Sequence, residues 1–167
     1  MIVSVEKPKI TKFKIRMERG DELYRQCIWA DIILDHDSYS ISAQTDCGNY
    51  AYRWSKTPDE SFANLCLRML RHEEYLLNKF SDRTEFDLEG SRDLVLIYYD
   101  EPEIMDQIKN IYANDAHEWI ELLGEIEEVS EPYEYVVMDY PHAAKIFVSI
   151  LANVVYPELM KLERQKT

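Results

Sequence analysis

The chain has 167 residues, 46% hydrophobic and 31% charged, with a net charge of −13. That length can bury a core without metal or disulfide staples, and the composition excludes a disordered chain. The charge argues against a general polyanion binder, because nucleic-acid affinity rests on many Lys and Arg contacts to phosphate.

With only four glycines and six prolines, no stretch reads as a flexible linker or a low-complexity tract. One α+β domain over residues 1–167 is expected, with a sheet over 9–54 and a helical part over 57–165. The N-terminus, Met-Ile-Val-Ser-Val, turns basic without an apolar region and cleavage site, so no secretory signal is expected. No apolar run approaches membrane-spanning length by inspection. Cys27, Cys47 and Cys66 are widely spaced and lack the paired spacing of a zinc site. A reducing cytoplasm is the expected compartment, and no cofactor is expected.

Charge is unevenly distributed. Between Asp100 and Asp139 there are thirteen Asp and Glu against the single Lys109, a net of −12. From Lys7 to Arg16 the sign reverses, with Lys7, Lys9, Lys12, Lys14 and Arg16 against no acid.

In chain order, Lys9 to Met17 alternates, with Phe13, Ile15 and Met17 on one face and Lys12, Lys14 and Arg16 on the other, as in a strand with one wet face. Arg19-Gly20-Asp21 reads as a turn, and Leu23 to Asp35 as a longer strand rich in Ile, Trp and Tyr. After a turn at Asp35-His36-Asp37-Ser38, Tyr39 to Thr45 forms the third strand. Asp46 to Gly48 supplies turn chemistry, and Asn49 to Trp54 is the fourth strand, with Tyr50, Tyr52 and Trp54 on one face. Sequential strands joined by short turns predict an antiparallel meander.

Beyond Trp54 the period becomes helical. Thr57-Pro58-Asp59-Glu60 combines an N-cap, a proline at the first helical position and a capping-box glutamate. Phe62, Leu65, Cys66 and Met69 form a buried stripe, making Cys66 a small core residue. Tyr75, Leu76, Leu77 and Phe80 suggest a further helix after a break near His72. Residues 92–99 are open between helix and strand, with helix favoured and Gly90-Ser91 as a possible cap. Pro102 opens a helix carrying Ile104, Ile108 and Ile111. Asp115 caps the next, whose buried stripe is Trp119, Leu122, Leu123 and Ile126, while Glu118, Glu121, Glu125 and Glu128 line another face. Tyr133 to Met138 reads as extended, and Pro141 opens a last helix bent or interrupted at Pro157.

Few residues carry recognisable chemistry. His117 and Glu121 stand one helical turn apart, with Glu118 adjacent, but the zinc-protease signature would need a second histidine. A metal-dependent hydrolase using this group is a distant alternative, and a solvated acidic face is the commoner meaning of the pattern. Asp35-His36-Asp37 is ordinary turn chemistry. No nucleophile elbow, cysteine-protease signature or Gly-rich phosphate cradle occurs, so no catalytic residues are expected. Tyr50, Tyr52 and Trp54 beside Arg53 would suit base stacking, but the basic groove that accompanies such platforms is missing here, which favours plain core.

The residues Asp46-x-Gly48-Asn49-Tyr50-x-Tyr52-Arg53-Trp54, with Tyr75-Leu76-Leu77-x-Lys79-Phe80 and Tyr156-Pro157-x-Leu159, resemble uncharacterised bacteriophage and prophage proteins. Cys47 stands where that motif has an aromatic. The resemblance implies a bacterial host cell and raises the prior for a protein that acts on host machinery; it transfers no catalytic residue.

The leading expectation is a non-enzymatic accessory protein that binds a host or phage protein. Glu118, Glu121, Glu125 and Glu128 would form an acidic face mimicking nucleic acid, and the partner would be a defence nuclease such as a CRISPR effector. The alternative is a nucleic-acid binder using Lys12, Lys14, Arg16 and the aromatic strand.

Overall fold

A computed structural model describes Val5 and residues 7–166. Most of the N-terminal stretch in which no signal was expected lies outside the described residues. The chain is α+β, a four-stranded antiparallel sheet followed by helices, and it divides into two compact units. One comprises residues 1–82 and 142–167, the other residues 83–141.

The sheet of the first unit is a meander: β1 (Ile10–Arg16), β2 (Trp29–Asp35), β3 (Ser40–Thr45) and β4 (Gly48–Arg53) pair in sequence order. The register stacks Phe13, Ile32, Ala43 and Tyr50 across one face, with Thr11, Leu34, Ile41 and Tyr52 as the next row. Every second residue therefore points inward, as strand geometry demands. β2 is shorter than the Leu23–Asp35 strand expected from composition. Asp21, Leu23 and their neighbours instead close hydrogen-bonded turns, with Cys27 N–H donating to the Leu23 carbonyl at 2.9 Å. Local turn chemistry at Gly20-Asp21 outweighed the β propensity of the residues that follow.

The first helix, α1 (Phe62–Met69), starts later than Thr57-Pro58 suggested. Ser61 is the N-cap, its Oγ accepting from Asn64 N–H at 3.3 Å, while Thr57 to Glu60 forms a turn. This places Phe62, Ala63, Leu65, Cys66 and Met69 in the core. The second helix, α2 (Glu73–Phe80), follows the expected break and buries Leu76 and Leu77.

Residues 142–164 form one continuous 23-residue helical stretch, long and apolar enough by length and composition to cross a membrane, contrary to the reading by inspection. Most of its apolar residues serve the core: Ala144, Ile146, Phe147, Val148, Ile150, Leu151, Val155 and Leu159 are buried, Val154 is half-buried and Leu162 is exposed. A π-helical segment, Leu151–Val155, interrupts it just before Pro157. A wider turn relieves the strain of a proline that neither donates a hydrogen bond nor clears the preceding carbonyl.

The second unit holds α3 (Leu88–Leu96), α4 (Pro102–Asn110) and α5 (Ala116–Leu123), with a two-stranded ribbon of β5 (Glu85–Phe86) and β6 (Met138–Asp139). The ambiguous segment is thus largely helical, but Asp87 caps it, accepting from Gly90 N–H at 2.9 Å; Gly90 and Ser91 lie inside the helix. Pro132–Tyr135 is a 3-10 turn where an extended segment was expected, and only Met138–Asp139 pairs as a strand. Trp119 anchors this core, wholly buried among Val95, Ile104, Ile108, Leu123 and Ile126. Its indole Nε1–H donates to the Tyr135 carbonyl at 3.0 Å, so the burial leaves no polar group unpaired.

The helices completing the first unit are α6 (His142–Ile150) and α7 (Tyr156–Arg164).

Candidate functional site

The unit of residues 83–141 carries 17 Asp and Glu against 3 Lys and Arg, a net of −14, and the rest of the chain carries 15 against 16. The chain's charge excess is therefore confined to one unit. α5 is built to hold carboxylates at its N-terminus, where unpaired N–H groups and the helix dipole favour negative charge. Asp115 Oδ1 accepts from the N–H groups of His117 and Glu118, both at 2.9 Å. Glu118 Oε2 accepts from the Asn114 backbone N–H at 2.7 Å and from its side chain at 2.9 Å.

The four glutamates do not share one helix face. α5 ends at Leu123, and Glu125 and Glu128 lie in the turns after Gly124, which position Ile126 and Val129 in the core. Gly124, a weak helix former, sits where the chain leaves the helix. Glu121, Glu125 and Glu128 are exposed and Glu118 is half-buried.

The basic side chains of β1 and the aromatic side chains of β4 project from opposite faces of the sheet. Lys12 and Arg16 flank Asp31 on the outer face, at 3.0 and 2.8 Å. Their guanidinium and ammonium groups hold the Asp31 carboxyl below the usual range. On the inner face Tyr50 stacks on Phe147, Tyr52 packs against Trp54, and Trp54 meets Phe62 and Phe80. The Trp54 indole donates to Tyr75 Oη at 2.7 Å. These rings join sheet to helix, and burial pushes the Tyr50 hydroxyl up to about 12.

The histidine motifs are separate. His117 Nε2 lies 3.4 Å from Glu121 Oε1 with both side chains well exposed, a geometry worth little in water. Asp35 Oδ1 accepts from the N–H groups of Asp37 and Ser38 at 2.9 and 3.0 Å, and Asp37 Oδ2 accepts from Lys9 N–H at 2.6 Å. These carboxylates organise the turn. His36 Nε2 is 2.9 Å from Thr11 Oγ1, beside the Phe62 ring.

Linear spacing did not reveal one cluster. Cys27 lies two residues before the start of β2, and Cys47 occupies the two-residue turn between β3 and β4. The register that pairs Ala30 with Thr45 brings these ends together. The Cys47 and Cys27 Sγ atoms are 3.4 Å apart, and an Asp46 carboxylate oxygen joins them with all donor atoms within 4.8 Å of one another. Asp46 is fixed by Ile28 N–H, 2.8 Å from Oδ2, and by Trp29 N–H, 3.4 Å from Oδ1. Burial, then hydrogen bonding to Asp46 and Cys47, pushes the Cys27 thiol up. Cys66 lies in the α1 core, its thiol likewise raised by burial.

Neither the curated proteins nor the solved structures contain a match to this chain. A family model described as a phage family, Phage_phiTE_072, matches residues 3–161, and the chain belongs to that family.

Proposed function

We propose that this phage-family protein is a non-enzymatic accessory that binds another protein through its acidic unit, residues 83–141. In this reading it mimics nucleic acid and occupies the basic groove of a nucleic-acid-handling defence enzyme, such as a CRISPR effector, in the cytoplasm of the bacterial host. The observation that carries the reading is the segregation of charge: −14 in one compact unit and +1 in the remainder. Such a field speeds encounter with a positive groove and disfavours neutral or acidic partners. Exposed Glu121, Glu125 and Glu128 stand in for phosphates. The same unit exposes Tyr98, Tyr112 and Tyr133, a residue type enriched at the energetic centres of protein interfaces. Family membership supports the phage setting of this reading.

The test uses a purified, guide-loaded CRISPR effector from the phage's host, assayed for target-DNA binding by gel shift. The intact protein should displace the DNA, less effectively as salt rises. The variant carrying Glu118→Lys, Glu121→Lys, Glu125→Lys and Glu128→Lys should not. In a parallel pull-down from host lysate, unchanged partners and unchanged salt sensitivity for that variant would overturn the mimic.

A further inference from the structure

We propose that Cys27, Asp46 and Cys47 form a binding site for one thiophilic divalent cation of the zinc class, with two sulfur donors, one carboxylate donor and a fourth position open to solvent. The site lies in the sheet unit, independent of the acidic surface. Two thiolates bound to one tetrahedral zinc at about 2.3 Å each stand roughly 3.8 Å apart, against about 2.05 Å in a disulfide. The observed 3.4 Å is the non-bonded contact of two free thiols and has to open by only a few tenths of an ångström to reach the first value. The closeness of all three donors is imposed by the sheet register and the β3–β4 turn, so the metal meets an organised site.

The surroundings hold the donors in place, as outer-shell partners of metal sites do. Ile28 and Trp29 N–H groups orient the Asp46 carboxylate, which also hydrogen-bonds the Cys27 thiol. Thr45 Oγ1 lies 3.1 Å from Cys47 Sγ and accepts from Cys47 N–H at 3.2 Å, which anchors the turn. Cys27 is fully buried, Cys47 half-buried and Asp46 exposed, so the cluster has an inner wall and an open side. On binding, the two thiol protons leave to solvent and two thiolates and one carboxylate coordinate the cation. No electron transfer is involved.

The experiment is a Co2+ titration of the full chain, purified with chelator and reductant. One equivalent of Co2+ should produce thiolate-to-metal charge-transfer absorption with a tetrahedral ligand-field spectrum, and Zn2+ should abolish it by displacement. Cys27→Ser and Cys47→Ser should each lose the sulfur band, Cys66→Ser should keep it, and Asp46→Asn should weaken affinity by about tenfold or more. Because Cys27 is buried and its variant can fail to fold, Cys47→Ser, checked by circular dichroism, is the deciding protein. Absence of the band in folded native protein overturns the proposal, as does its survival in Cys47→Ser. Unchanged affinity in Asp46→Asn overturns the three-donor set. Conversion of the pair to a disulfide by oxidised glutathione, with no metal uptake by the reduced protein, overturns the site in favour of a thiol–disulfide pair.

Discussion

Tyr50 and Phe147 lie face to face, their ring centroids 4.1 Å apart and their planes 3° from parallel, which ties the last sheet strand to α6 across 97 residues of chain. Phe80 meets the same Phe147 edge-on at 5.0 Å, and Trp54 continues the contact toward Phe62. Trp54→Ala should destabilise the protein by about 3–5 kcal/mol as a core deletion, measured by urea unfolding. A double-mutant cycle on Tyr50 and Phe147 should return a coupling of about 0.5–1.5 kcal/mol. A near-unchanged melting temperature for Trp54→Ala would mean that the aromatic strand is not core.

Gly48 sits at φ 144°, a region L side chains rarely adopt, and an added Cβ would lie 2.8 Å from Tyr50 Oη. The hydroxyl belongs to a ring held against Phe147, so making room disturbs the stack. Gly48→Ala should cost about 1–3 kcal/mol, read from the denaturation midpoint, with near-ultraviolet dichroism reporting the ring shift.

Ser61 and Thr57 offer a direct comparison of two cap candidates four residues apart. Only Ser61 accepts a hydrogen bond from the first turn of α1. Ser61→Ala should cost about 1 kcal/mol, and Thr57→Ala should stay within about 0.5 kcal/mol of native. Thermal melts of the two variants distinguish them.

His36 should make stability fall in mild acid. Burial lowers its pKa from the ordinary 6.5, with the charges of Lys9 and Lys166 acting the same way and those of Glu163 and Asp35 opposing. With the folded value below the unfolded one, the unfolded chain binds a proton first as pH drops. The stabilisation is thus complete above about 6.5 and disappears as pH falls through the folded value. His36→Gln should flatten this part of the profile of denaturation midpoint against pH, and NMR titration should place the His36 midpoint below 6.5.

The exposed glutamates should be nearly neutral for folding. Glu121→Lys, Glu125→Lys and Glu128→Lys should each change stability by no more than about 0.5 kcal/mol. Glu118→Lys should cost more, because that carboxylate holds the Asn114 N–H ahead of α5. Added salt should raise the melting temperature of the native protein by screening the repulsion within residues 83–141, and raise that of the four-lysine variant less.

Much of the architecture was legible locally. The alternation of Phe13 and Ile15, Ile41 and Ala43, and Tyr50 and Tyr52 specified strands and their inner face, because side chains alternate along a strand. The short turns after β2 and β3 specified that part of the meander, whereas β1 and β2 are joined by a longer connection over residues 17–28. Phe62, Leu65, Cys66 and Met69 specified the buried face of α1. The start of that helix was not legible: Thr57 and Ser61 both suit a cap, and the choice fell to the packing of Phe62 against Tyr39, His36 and Trp54. The end of α5 was equally hidden. Glu118, Glu121, Glu125 and Glu128 have helical spacing, but the chain leaves the helix at Leu123.

By itself the sequence determined the strand and helix faces, the acidic segment and its sign, since periodicity and charge are properties of neighbouring residues. Only the tertiary structure decided that the aromatic strand is glue between sheet and helix and that the charge excess belongs to one compact unit. It also brought Cys27 within 3.4 Å of Cys47. Those relationships depend on sheet register and chain return, which join residues whose separation along the chain carries no trace of their contact.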